Sequence, residues 1–399
     1  MKKILKGKLS LRGAKRRSNL GDSVGLPRPA RGGTRNDRLR KFCKKIICWF
    51  KQNERTIYLE YAFIALMILL PLLKPGYILT LDMVFTPKIS MPIVVENNYL
   101  FISLLHFLNY LIPSQIIEKI LLFLIIFLSG VGMHRLIPTY NKWPKYFAAL
   151  LYIFNPFVYS RFMAGHWVLL LAYAIFPFAV KAILEFFISP DFKKALKVVI
   201  WLILISIISL HAIMMIFIFF VFAFIFYLIR DLRVMSLRTS RVKQSQDSAK
   251  RLPRPARGGA RNDNFLKTLK LTLFIGLAFL ILSSYWLVPF FTKSTTTSQV
   301  VSNFDPRHIM GFQTAADKNF GVLFNTAALY GFWGENEGRF VIGKQIIPFW
   351  YILSIIIFML VIWGVIINFI KKNQRTEILI FTATAMLAFI LAVGVAYPP

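Results

Sequence analysis

Acidic side chains are scarce in this chain: 17 Asp and Glu stand among 399 residues, against 49 Lys and Arg. Cysteine is scarcer, at two. Both, Cys43 and Cys48, lie in one basic N-terminal stretch, so no disulfide framework is implied and free cytoplasmic thiols are expected. No G-x-G-x-x-G fingerprint and no complete P-loop pattern occurs, which argues against ATP-driven transport within the chain. Nothing has zinc spacing. What the chain has in excess is apolar: 57% hydrophobic residues, 39 Phe and a mean hydropathy of +0.59. Several runs reach the roughly 20 residues that span a bilayer's hydrocarbon core. The composition is that of a membrane protein, and the excess positive charge then reports topology rather than nucleic-acid binding.

Runs able to cross lie near Thr56 to Leu73, Ile116 to Met133, Tyr146 to Tyr159, Trp167 to Phe187, Val198 to His211, Met214 to Leu228, Leu269 to Phe291, Ile346 to Ile370 and Glu377 to Tyr397. The expectation is an all-α polytopic protein of about nine transmembrane helices. With the N-terminus in the cytoplasm, 40 of the 49 basic residues fall inside, as the positive-inside rule requires. Residues 1–55 then form a basic cytoplasmic segment and 56–229 carry helices one to six with a first external loop at 74–115. Residues 230–268 are a cytoplasmic loop, and 269–399 carry helices seven to nine with an external loop at 292–345. The chain stops at the outer end of a helix and is expected to be truncated. The plasma membrane is the expected location.

Tyr99 to Ile112 is apolar but only 14 residues long, about 21 Å as a helix. Ser103, His106 and Asn109 draw one polar stripe along it, which predicts an interfacial helix in the first external loop. A crossing there would invert every later loop against the charge rule.

One repeat is unmistakable. LPRPARGGTRND at Leu26 to Asp37 recurs as LPRPARGGARND at Leu252 to Asp263, identical at 11 of 12 positions, and Ser10-Leu11-Arg12 recurs as Ser236-Leu237-Arg238 at the same offset. No membrane helix repeats with it. Segments 10–37 and 236–263 therefore read as disordered insertions in cytoplasmic loops, resembling translated genomic repeat elements. An anionic-lipid or nucleic-acid tether is the functional alternative; no nucleic-acid partner is expected.

Polar chemistry concentrates on the external side. In KPGYILTLDMVFTPKISMPIVVENN, Asp82 is flanked by Leu81, Met83, Val84 and Phe85. Such a carboxylate is expected to be partly desolvated and basic, suited to taking a proton from a hydroxyl or to holding a divalent cation such as Mg or Mn; a helix cap or a partner for Lys74 or Lys88 is the plainer alternative. In YIFNPFVYSRFMAGHWVLL, Arg161 and His166 flank the small pair Ala164-Gly165. A guanidinium with a neighbouring imidazole suits a lipid phosphate, while snorkelling and capping are the structural alternatives. The loop at 292–345 adds Asp305, Arg307, His308, Asp317, Tyr330, Trp333, Glu335, Glu337 and Arg339, with Trp333 and Glu335 the candidates for stacking on and bonding to a sugar. His106 and His211 read as packing or interface residues.

PGYILTLDMVFTP and NPFVYSRFMAGHW resemble segments of uncharacterised bacterial and archaeal members of the GT-C superfamily of integral-membrane glycosyltransferases, over roughly Thr56 to the end. The resemblance implies a GT-C-like fold, a catalytic acid in the first external loop matching Asp82, a polyprenyl-phosphate-linked sugar as donor, and an external glycan, lipid or protein as acceptor. The family's second acid, adjacent to the first, has no counterpart; Glu96 is the nearest. A lipid-linked oligosaccharide flippase or another secondary transporter is the alternative, but it would place charges within helices around a midplane cavity, whereas here acids gather in external loops.

The charge count yields a test of orientation. Single cysteines placed at Ser18 and Ser245 are expected to resist an impermeant thiol reagent in intact cells and to react after permeabilisation; reaction in intact cells would invert the topology and move Asp82 to the cytoplasmic side.

Overall fold

The computed structural model describes residues 56–248, 259–292, 298–300, 303, 305, 313–370 and 375–394. The N-terminal segment with its cysteines and first repeat copy, and Arg307 and His308, lie outside them. Among the described residues the protein is helical, with no strand beyond an isolated bridge between Asp317 and Gly321. In chain order the helices are α1 Thr56–Leu69, continued by a 3-10 turn Leu70–Leu72, α2 Tyr99–Asn109, α3 Ser114–Leu136, α4 Lys142–Ile153, α5 Pro156–Met163 and α6 Trp167–Ile188. Next come α7 Phe192–Ser206, α8 Leu210–Ser248, α9 Gly259–Phe291, α10 Gly321–Ala327, α11 Gly343–Ile346, α12 Trp350–Ile370 and α13 Arg375–Val393.

Among the described residues six helices are long and apolar enough to cross a membrane: α3, α6, Leu210–Arg233 within α8, Phe265–Phe291 within α9, α12 and α13. This is fewer than the expected nine, because helix ends rather than apolar runs set helix length: α1, the α4–α5 pair and α7 fall below it, although each leads from one end of the bundle toward the other. Helix α1 loses its regular pitch at Leu70, with Pro71 in the 3-10 turn. The fifteen residues of α7 make about 22 Å. The run Tyr146 to Tyr159 is cut in two at Asn155-Pro156. There the Asn155 amide donates to the Leu151 and Tyr152 carbonyls, closing α4, while its Oδ1 accepts from Val158 N at 3.0 Å and caps α5, with Pro156 at its first position. Within the 230–268 segment the backbone is helical to Ser248 and again from Gly259. The stretch from Arg230 to Ser248 holds neither Gly nor Pro to stop α8.

The helices α3, α6, α7 and α8 form the packed centre, with α1 and α4 against α3. Gly130 of α3 permits close approach to α1, since a Cβ there would sit 2.4 Å from the Tyr61 ring. Lys181, Glu185 and Lys197, with the Arg135 carbonyl, mark one end of the bundle. The opposite end gathers the first loop, the α5–α6 junction and the 313–349 loop: Asn97 bonds to Ser206 O and Tyr285 to Asn97 O, and Tyr159 donates to Val341 O at 2.7 Å. The short helix α2 lies at this end with its polar stripe turned inward. His106 Nδ1 donates to Ile89 O at 2.5 Å and Asn109 Oδ1 accepts from Ile89 N at 2.9 Å, while Leu100, Leu104, Phe107 and Leu111 are exposed.

The first turn of α3 holds the start of the first loop. Gly76 N donates to Gln115 Oε1 at 2.9 Å, and the Tyr77 hydroxyl to Ser114 Oγ, which itself donates to Thr86 O. Ile78 N donates to both oxygens of Glu118, at 3.3 and 3.2 Å, and Glu118 is fully buried. An acid that reads in sequence as one more external charge is thus an internal acceptor for a loop amide. Glu118→Leu leaves that amide unpaired, which costs about 1–3 kcal/mol, whereas Glu118→Gln keeps an acceptor. Thermal unfolding of the purified protein is expected to show a lowered midpoint for the Leu variant and a near-parental one for Gln.

Candidate functional site

The first loop passes across the α5–α6 junction at one glycine. Thr80 N donates to Met83 O at 3.3 Å, closing a tight turn, and Asp82 N donates to Ala164 O at 3.0 Å, fastening that turn to the end of α5. Gly165, next in line, has φ +81, and a Cβ on it would lie 2.2 Å from Thr80 Oγ1 and 2.5 Å from Met83 N. The approach therefore admits only glycine. Met83 and Phe85 turn inward, Phe85 against the Trp167 ring, while Leu81 and Val84 face outward. Asp82 does not share the burial of its inward neighbours: its side chain is 51% exposed, so the expectation of a desolvated carboxylate is corrected to an open one.

His166 stands at the N-cap position of α6, makes no capping bond with its side chain, and faces Asp82. Its Nε2 lies 2.7 Å from Asp82 Oδ2, and its Nδ1 lies 3.1 Å from Arg161 Nη1. A carboxylate only accepts and a guanidinium only donates, which fixes the proton positions. Nε2 carries the hydrogen and gives it to Asp82; Nδ1 is bare and accepts from Arg161. Burial lowers the His166 pKa below the ordinary 6.5, and the Arg161 charge lowers it further, against the opposing pull of Asp82. The imidazole is neutral at pH 7, as the hydrogen bonds require.

Arg161 belongs to α5 and is pushed down to about 10 by burial, which leaves it protonated at neutral pH. Its guanidinium carbon stands 5.5 Å from the centre of the Phe157 ring, one turn earlier on the same helix, and 4.4 Å from that of Phe332, in the later loop. Among the described residues it has no carboxylate partner, and one of its five N–H groups is spent on His166. The N-terminus of α6, 22 residues long, adds the positive end of a helix dipole. The arrangement is a relay of carboxylate, neutral imidazole and unpaired guanidinium, able to accept a proton at one end and bind an oxyanion at the other.

The other sequence candidates stand apart from this relay. Glu96 is half-buried in the turn before α2, its carbonyl accepting from Tyr99 N. Glu335 lies inside the later loop, its side chain 2% exposed, with Oε2 accepting from Gly331 N and Oε1 at 2.8 Å from Lys344 Nζ. Its carboxylate is consumed in holding that loop rather than presented to a substrate. The Trp333 ring packs on Phe332. Glu337 pairs with Arg339, and Asp317 with Lys344. Phe332 and Lys344 carry no signal in the sequence, where Phe332 is one of 39 phenylalanines. A divalent cation fits poorly here: Asp82 offers a single carboxylate already bonded to His166, Arg161 stands one imidazole away, and among the described residues no three His, Cys, Asp or Glu side chains converge.

The proton placement is testable without substrate. Nitrogen-15 spectra of histidine-labelled protein are expected to show His166 as the Nε2–H tautomer, titrating below the ordinary 6.5. Because the folded pKa is depressed, the unfolded chain binds the proton more readily. The contribution of this group therefore favours folding above the unfolded pKa and fades as pH falls through the interval between the two values. An Nδ1–H tautomer, or titration at or above 6.5, would contradict the relay. No protein-family model, curated protein or solved structure matches the chain.

Proposed function

We propose that the chain is a GT-C-type membrane glycosyltransferase, moving a sugar from a polyprenyl-phosphate donor to an acceptor hydroxyl on the external face of the plasma membrane, with its N-terminus in the cytoplasm. The observation that carries this reading is the joining of Asp82 to Arg161 through His166, which sets an open carboxylate and an unpaired cation one imidazole ring apart. Asp82 takes the proton of the acceptor hydroxyl, the acceptor oxygen forms its bond to the anomeric carbon, and the bond from that carbon to the phosphate oxygen breaks. The negative charge left on the lipid phosphate meets Arg161 and the N-terminus of α6. His166 keeps its hydrogen throughout and orients Asp82. A lipid-borne donor needs no nucleotide-binding domain, in keeping with the motifs the sequence lacks. No step is routed through a metal.

Asp82→Asn keeps size and hydrogen bonding but removes the base, and is expected to abolish transfer while membrane levels stay unchanged. Arg161→Lys keeps the charge but loses the planar fork, and is expected to lower kcat/KM by about tenfold for each ~1.4 kcal/mol lost. The assay supplies polyprenyl-phosphate sugars to the purified protein and follows release of the lipid phosphate. Parental turnover by Asp82→Asn would remove the mechanism. Movement of intact lipid-linked sugar between leaflets without cleavage would show a transporter instead.

A further inference from the structure

Arg161 presents a physical problem that its own helix does not solve. Taking a cation out of water costs several kcal/mol. Its bond to neutral His166 and the ring of Phe157, 5.5 Å away, return only part of that. The nearer ring is Phe332, at 4.4 Å from the guanidinium carbon. It also meets the His166 ring edge-on, centroids 5.5 Å apart and planes at 90°. A phenyl ring beside a guanidinium excludes water but has no oxygen or nitrogen to accept its N–H groups, so those not given to His166 remain able to donate to an oxyanion.

Phe332 is held from behind by the best-matched set of charges in the loop. It is 6% exposed, and the backbone on either side of it is pinned. Gly331 O accepts from Ala315 N at 3.1 Å, Gly331 N donates to Glu335 Oε2 at 2.7 Å, and Glu335 N donates to Phe332 O at 2.8 Å. Glu335 Oε1 and Asp317 Oδ2 then share one ammonium, that of Lys344, at 2.8 and 2.9 Å. The Tyr330 and Trp350 rings lie 5.0 and 4.8 Å from that ammonium. The three charged side chains are 2–14% exposed, so each depends on the others.

We propose that Phe332 is a positioning residue that holds the guanidinium of Arg161 in place for a phosphate monoester, the leaving group of a lipid-borne donor, and that the Asp317–Lys344–Glu335 triad keeps Phe332 in place. The inference rests on the function proposed above and adds to it the part played by the later loop.

The test uses the full purified chain and measures equilibrium binding of radiolabelled polyprenyl monophosphate carrying no sugar, with inorganic phosphate as competitor. Phe332→Leu keeps apolar bulk and loses the ring; it is expected to weaken binding about tenfold, with an unchanged thermal midpoint. Phe332→Trp is expected to restore it. Lys344→Met is expected to weaken binding as Phe332→Leu does, and Lys344→Arg to stay near the parent. Phe332→Met serves the same comparison should the Leu variant fail to fold. Parental binding by Phe332→Leu, with binding lost in Arg161→Gln, overturns this inference and leaves the proposed function standing. Parental binding by Arg161→Gln overturns the phosphate role of the site itself. Competition by inorganic phosphate only in large excess supports the lipid as the source of the phosphate, and competition at concentrations matching the lipid overturns it.

Discussion

The passage of one backbone segment over another at Gly165 is the constraint on which the site depends. The Thr80 to Met83 turn lies so close to the α5–α6 junction that a single added carbon would sit 2.2 Å from Thr80 Oγ1. The hydrogen bond from Asp82 N to Ala164 O forms only at that separation. With that bond formed, the Asp82 side chain meets the residue that follows the glycine, His166. Arg161, a turn earlier, reaches the other ring nitrogen. Two segments far apart in the chain are thereby converted into one relay by a place where there is no side chain.

Charge is handled in two opposite ways within this end of the bundle. In the later loop, Asp317 and Glu335 share Lys344 at hydrogen-bonding distance, so buried charges meet opposite charges and order the backbone around them. At the relay, the cation is matched by a neutral imidazole and two aromatic rings, none of which neutralises it, while the anion is half exposed. Matched buried pairs stabilise a loop because removing either partner leaves the other stranded. An unmatched cation keeps affinity for an incoming anion, and the dipole of α6 acts in the same sense. The two arrangements touch at Phe332, which is rooted in the first and covers the second.

Much of this was legible in the chain itself. Asp82, Arg161 and His166 stood out because ionisable residues in apolar, Pro- and Gly-interrupted segments are costly, and those three are joined in the structure. The polar stripe of Ser103, His106 and Asn109 foretold a short helix, although not that the stripe would face inward to hold Ile89. Glu118, Glu335 and Lys344 were not legible as internal partners. A surface acid and a buried acid are the same letter, and only the amide of Ile78 or the ammonium of Lys344 distinguishes them. Helix lengths were misread where a local device overrode hydropathy, as at Asn155-Pro156, where one side chain ends a helix and starts the next.

The sequence by itself determined that this is a helical, multi-pass membrane protein rich in basic residues and poor in acidic ones, since bilayer thickness acts on composition and run length alone. Only the tertiary structure decided which polar residues meet. Contact between Asp82 and His166, or between Arg161 and Phe332, depends on how helices and loops distant in the chain are stacked, and on a backbone crossing closer than any side chain permits.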